Sequence, residues 1–419
     1  MRKFWMLLCI LLLTGCRGEE AAPVVYLPAA TPKTETIAPA TAAPTPAPAP
    51  TPVPSPVPTA TPLTEQRALE LYVEQMDTRQ KIGQLVMFGF SGTRSVSHEF
   101  ARLMEQYAIG NVILYGPNIA RTDKDGGFAR CAALTDSVNA HNVSEIPLLI
   151  STDVEGGNVT RFKWKNWPTH AATLGKKADE DLARRQFAAI GEGLLSAGIN
   201  TDLAPVLDTA KSPGKTFLGK RIISSEAAVT GQIGVACIEG LHGAGCLSIV
   251  KHFPGHGATS ADSHETTPVV KKSLEELWDY ELLPFAQAVE AGVDGVMVAH
   301  IAYPNIDSEH IASQSPVLID GVLRQQMGFE GLILSDDFRM AGLRKQTSVS
   351  DGAVQFILSG GDIILCGANH SYQTAILEGL TAAVADGTLP ESRLNESVTR
   401  ILKAKMQVTD WAPPLPPAS

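Results

Sequence analysis

The chain has 419 residues, 44% of them hydrophobic, which is enough apolar material for a large core in one big domain or in two to three average ones. Its 44 acidic residues against 34 basic ones leave a formal net charge of −10. That balance removes the electrostatic basis for nucleic-acid binding, and no basic cluster supplies one locally.

Residues 1–15 read as a targeting segment. Arg2 and Lys3 give a charged start, and the apolar stretch from Phe4 to Leu13 is too short to span a bilayer. Leu13-Thr14-Gly15-Cys16 follows and resembles a bacterial lipobox, which implies cleavage before Cys16 and lipid on its sulfur and amine. The expected product is a protein held at the outer side of a cell membrane without a spanning helix. Residues 16–62 are dominated by Thr, Ala and Pro, as in Thr45-Pro46-Ala47-Pro48, a composition that cannot bury a core and suits an extended spacer. The body is expected over residues 63–410, with a Pro-rich tail at 411–419. Cys131, Cys237, Cys246 and Cys366 remain in it without metal-ligand spacing and read as buried thiols, although an exported protein can pair two of them.

Eight apolar runs recur along the body: Gln84–Phe88, Gly110–Leu114, Pro147–Ser151, Ile199–Leu203, Cys246–Val250, Gly295–Ala299, Gly331–Leu334 and Asp362–Cys366. Between them lie stretches of helical spacing, including Asp181 to Ala197, Ser273 to Ala291 and Ser371 to Ala385, with Gly198 and Gly292 placed to end two of them. Fully apolar strands alternating with helices predict parallel strands buried on both faces. Eight repeats suit a closed (β/α)8 TIM-type barrel in a single α/β domain, with an open doubly wound sheet as the alternative. The glycine fingerprint of nucleotide-binding sheets is missing, so no cofactor is implied.

In such a barrel the chemistry gathers at the C-terminal strand ends. There the sequence places Asp153, Glu155 and Arg161, then Asp202 and Asp208, Lys251 and His252, His300, and finally Asp336 and Asp337. Helix capping accounts for some of these, Asp208 and Asp337 being the best cases, but not for all. The densest stretch is Lys251-His252-Phe253-Pro254-Gly255-His256-Gly257, continuing to Asp262-Ser263-His264. Pro254 forces Phe253 to be extended and the glycines free the backbone beyond it, which predicts a mobile loop carrying Asp262 and His264 over Lys251 and His252. The histidines are scattered over a loop and separate strands, so no metal is expected.

Those residues carry a resemblance. KHFPGHG followed by DSH resembles the signature of glycoside hydrolase family 3, in its β-N-acetylglucosaminidase branch. Asp153-Val154-Glu155-Gly156-Gly157 with Arg161 resembles the family's sugar-binding segment, Gly219-Lys220-Arg221 its arginine loop, and Ser335-Asp336-Asp337-Phe338-Arg339-Met340 its nucleophile segment. One departure follows Arg221, where Ile222-Ile223-Ser224-Ser225-Glu226 replaces the usual Ser-Phe-Gly and acid.

The resemblance implies a retaining exo-β-N-acetylglucosaminidase (a β-N-acetylhexosaminidase) that removes terminal GlcNAc from cell-wall muropeptide or chitin-type fragments. Asp336 is then the nucleophile and His264 the acid/base, oriented by Asp262, while Asp153, Arg161, Arg221, Lys251 and His252 hold the sugar. Periodicity alone does not choose between Asp336 and Asp337. A family 3 β-glucosidase or β-xylosidase is the nearest alternative, and a non-catalytic wall-glycan binding lipoprotein is the alternative of another class.

Overall fold

The computed structural model describes residues 64–119 and 121–414. The expected signal segment, Cys16 and the Pro/Thr/Ala-rich tract lie outside these residues. Eight strands form: β1 (Val86–Gly89), β2 (Asn111–Ile113), β3 (Leu149–Thr152), β4 (Thr201–Asp202), β5 (Leu247–Phe253), β6 (Gly295–Val298), β7 (Leu332–Ser335) and β8 (Ile364–Cys366). Each lies within or beside one of the eight apolar runs, and every strand residue is buried, as strands covered on both faces require.

The sheet order is β7-β6-β5-β4-β3-β2-β1-β8 with all pairs parallel. Between β7 and β8 the ring closes on a single parallel bridge, Leu334 to Ile363, supported by hydrogen bonds from Ser335 N to Ile363 O (2.9 Å) and from Phe338 N to Leu365 O (2.9 Å). The (β/α)8 barrel therefore holds, and the open-sheet alternative falls.

Helices of the outer ring include Glu180–Ser196, Ala227–Ala244 and Glu391–Val408. Gly198 (φ +72°) and Gly292 (φ +77°) stand just past the ends of Glu180–Ser196 and Leu283–Glu290, in the left-handed conformation that ends a helix without a Cβ clash. The single helix expected from Ser273 to Ala291 is instead two, Leu274–Trp278 and Leu283–Glu290. Pro284 has no N–H to donate to a preceding turn, so it sits where a helix starts and not within one.

Cys131, Cys237, Cys246 and Cys366 are buried free thiols. Trp411 packs edge-on against Tyr72 at 5.5 Å between ring centroids, so the polypeptide just after the last helix returns to the first one. Among the described residues no helix is long and apolar enough to cross a membrane.

Candidate active site

The C-terminal strand ends surround a cavity of about 390 Å³, whose walls include Asp153, Glu155, Arg161, Arg221, Lys251, His252, His264 and Asp336. Its first wall is built by the turn after β3. Gly156 (φ +90°) and Gly157 (φ +59°) reverse the chain there, and a Cβ at Gly157 would lie 1.9 Å from His170 Nδ1. That reversal returns Arg161 to Asp153, Nη2 to Oδ2 at 2.6 Å. Lys251 Nζ lies 2.7 Å from Asp153 Oδ1 and 2.7 Å from Glu155 Oε1. Arg221 forks onto the same Glu155 carboxylate, with Nε–Oε2 at 2.7 Å and Nη2–Oε1 at 2.9 Å.

Five alternating charges thus run Arg161–Asp153–Lys251–Glu155–Arg221. Burial alone pushes both carboxyls up, but their cations outweigh it: Lys251 and Arg161 hold Asp153 well below the carboxylate range, while Arg221 and Lys251 hold Glu155 at about 2. The array stays charged at neutral pH and presents both acceptors and fork-like donors to a ligand.

Lys251 and His252 are neighbours in β5, and strict alternation would send only one of them inward. The pairing of β5 with β6 shifts register between Lys251 and Phe253, an irregularity that re-aims side chains, and both residues line the cavity. They belong to the strand itself and not to the loop past it. Asp208 does not cap a helix. Its Oδ2 accepts from His252 Nδ1 (2.6 Å) and its Oδ1 from the His256 amide (2.5 Å). A carboxylate on Nδ1 leaves His252 Nε2 as the ring nitrogen available to a ligand.

The loop after β5 carries many bonds despite its glycines. Tyr303 donates to Gly255 O (3.1 Å), the buried His256 ring bonds through Nε2 to Ser263 Oγ (2.7 Å), and Gly342 N donates to Ser263 O (2.9 Å). His264 follows and its side chain is exposed at the mouth, with Nδ1 on Asp262 Oδ1 at 2.7 Å and its amide on the same oxygen at 2.9 Å. Burial pushes the Asp262 carboxyl up, and the two bonds to His264 outweigh this and hold it below the ordinary value.

At β7 the two neighbouring aspartates differ. Asp337 Oδ2 accepts from the Tyr115 hydroxyl (2.8 Å) and Arg339 Nη2 (2.7 Å), while Oδ1 accepts from the amides of Arg339 (2.9 Å) and Gly367 (3.2 Å). Like Asp208, it is no helix cap. Asp336 Oδ1 accepts only the Asp337 amide (2.7 Å), and among the described residues nothing bonds its Oδ2, which borders the cavity. Burial raises the Asp336 carboxyl, but His252, His300 and the Asp337 amide together hold it below the ordinary range.

His300 and Asp202 stay outside the cavity. His300 is fully buried with Nδ1 on Ser313 Oγ at 2.7 Å, and Asp202 takes the Val154 amide at 2.8 Å, steadying the turn from beneath. Tyr115, Phe217 and Arg339 also wall the cavity and carry no mark of it in the sequence beyond the place of Arg339 inside the nucleophile segment and of Tyr115 directly after the β2 run. The partners of Tyr115 and Phe217 are distant in sequence, so no local signal marks them.

The fold and the cavity define a (β/α)8 barrel whose cavity, at the C-terminal strand ends, is walled by charged residues of β3, β5, β7 and the loops that follow them. Residues 77–404 match the Glycosyl hydrolase family 3 N terminal domain, and the chain belongs to that family. A protein named Beta-hexosaminidase from Stenotrophomonas maltophilia is 31% identical over 343 residues, covering 76% of this chain and 98% of the relative. Beta-hexosaminidase A of Pseudoalteromonas piscicida is 28% identical over 374 residues, covering 80% of this chain and 62% of the relative. A solved family 3 β-N-acetylglucosaminidase from Paenibacillus sp. FPU-7 superposes with a TM-score of 0.75 at 36% identity, over 79% of this chain and 62% of that one. The chain thus spans less than two thirds of the length of the Pseudoalteromonas and Paenibacillus proteins.

Proposed function

We propose that this protein is a retaining exo-β-N-acetylglucosaminidase that removes terminal GlcNAc from cell-wall muropeptide or chitin-type fragments. The observation that carries the reading is the ionised Asp336 carboxylate with an uncommitted oxygen in a cavity shared with the His264–Asp262 pair. The names of the relatives support the sugar.

In the first step an Asp336 oxygen attacks the anomeric carbon while the His264 imidazolium gives its proton to the glycosidic oxygen, which leaves as an alcohol. In the second, neutral His264 takes a proton from water, the water oxygen bonds the anomeric carbon, and Asp336 departs as carboxylate. Asp262 on Nδ1 leaves Nε2 of His264 for both transfers. The charge array from Arg161 to Arg221, with His252, binds the sugar hydroxyls.

The Leu13-Thr14-Gly15-Cys16 tetrad and the tract that follows support a lipid-anchored, extracytoplasmic protein. Fractionation of cells carrying Cys16→Ala tests that part, with loss from the membrane fraction expected and unchanged membrane retention contradicting it.

Side-by-side assay of aryl β-GlcNAc, β-glucoside and β-xyloside tests the activity. The N-acetyl substrate is expected to lead in kcat/KM by about 10²-fold or more. A faster β-glucoside or β-xyloside shifts the assignment to that alternative, and glycan binding with no turnover of any substrate shifts it to a binding lipoprotein.

A further inference from the structure

The cavity wall beside His264 is aromatic. Phe217 lies after β4 between the short turns Pro213–Lys215 and Gly219–Arg221. Its ring meets His256 edge-on at 4.6 Å between centroids and His264 at 6.4 Å. Leu218 and Ile222 are buried against Ala210 and fix the backbone, while the Phe217 ring is half-buried and borders the cavity. The same short segment sends Arg221 to Glu155, so one loop furnishes a polar contact on the β3 side and an apolar one on the β5 side. Burial pushes His256 down to about 4, against the opposing pull of Asp208, so the ring behind Phe217 is uncharged at neutral pH.

A phenyl ring bordering a wet cavity forgoes burial that a ligand restores on binding. In a glycosidase the acid/base faces the leaving oxygen, so the wall next to it faces the aglycone. We propose that Phe217 is a specificity-determining wall of the aglycone subsite, packing its ring on the apolar C–H face of the pyranose that leaves. This rests on His264 being the acid/base of the proposed reaction.

Binding in the full chain carrying Asp336→Asn isolates the subsite from the chemistry, with GlcNAc and chitobiose as probes in calorimetry. Adding Phe217→Ala is expected to weaken chitobiose about tenfold, the equivalent of roughly 1.4 kcal/mol, and to leave GlcNAc within about twofold. Phe217→Trp is expected to keep chitobiose affinity, and Phe217→Leu, which keeps apolar bulk but loses the flat ring, to fall between. Equal weakening of both sugars, or of neither, overturns the subsite. So does selective loss of octyl β-GlcNAc in place of chitobiose, which would mark an alkyl aglycone. If Asp336→Asn with Phe217 intact binds neither sugar, the proposed function falls and the subsite falls with it.

Discussion

The Tyr115 hydroxyl donates to Oδ2 of Asp337 at 2.8 Å, joining the end of β2 to the end of β7. Together with Arg339 and two backbone amides it commits both oxygens of Asp337, so the neighbouring Asp336 is the aspartate with an oxygen to spare. Tyr115→Phe removes one charge-assisted bond from this web. It is expected to cost about 2 kcal/mol in urea denaturation, and to lower kcat far less than Asp336→Asn does. A kcat loss matching that of Asp336→Asn would mean that Asp337 takes part in the chemistry.

Arg221 and Glu155 give a pH signature. Burial raises the Glu155 carboxyl, yet Arg221 and Lys251 hold it at about 2 against an ordinary 4.5. A carboxyl depressed by folding stabilises the protein above its ordinary value, and the contribution fades as pH falls from 4.5 towards 2. Arg221→Met leaves Lys251 as the only cation on Glu155. It is expected to cost about 3 kcal/mol at pH 7 and to flatten the loss of stability below pH 4.5. Urea midpoints at pH 7, 4.5 and 3 measure both, and parallel curves for variant and parent would contradict the pairing.

Dependence on the leaving group separates an acid/base at His264 from a binding residue. A disaccharide needs its leaving oxygen protonated, and general acid/base catalysis is typically worth ~10²–10⁴-fold, whereas dinitrophenolate leaves unaided. His264→Ala is therefore expected to fail on chitobiose yet give a burst of dinitrophenolate, followed by a slow phase that azide accelerates. Asp262→Asn is expected to be milder, because the imidazole keeps its place in the chain but loses its carboxylate partner. Equal slowing on both substrates without burst or rescue would make His264 a structural residue.

The barrel was legible because most of its strands are buried on both faces and appear as largely apolar runs, although β4 itself is only Thr201-Asp202. Strand ends were less so: β5 extends through Phe253, beyond the apolar run that closes at Val250, because the polar Lys251 and His252, which line the cavity, interrupt the run. The inward aim of both Lys251 and His252 rests on a register shift that no local pattern encodes. Asp208 looked like a helix cap since its true partners, His252 and His256, are 44 and 48 residues away. Tyr115 and Asp337 are 222 residues apart, and their bond is what tells the two aspartates of β7 apart in space.

Covalent trapping tests the assignment of Asp336 most directly. A 5-fluoro N-acetylglucosaminyl fluoride should slow breakdown of the glycosyl-enzyme enough for peptide mass spectrometry of the intermediate. The sugar is expected on the peptide spanning Leu334-Ser335-Asp336-Asp337, with fragment ions placing it on Asp336 and no label in Asp336→Asn. A label on Asp337, or turnover of the reagent by a folded enzyme with no covalent adduct, would contradict the account.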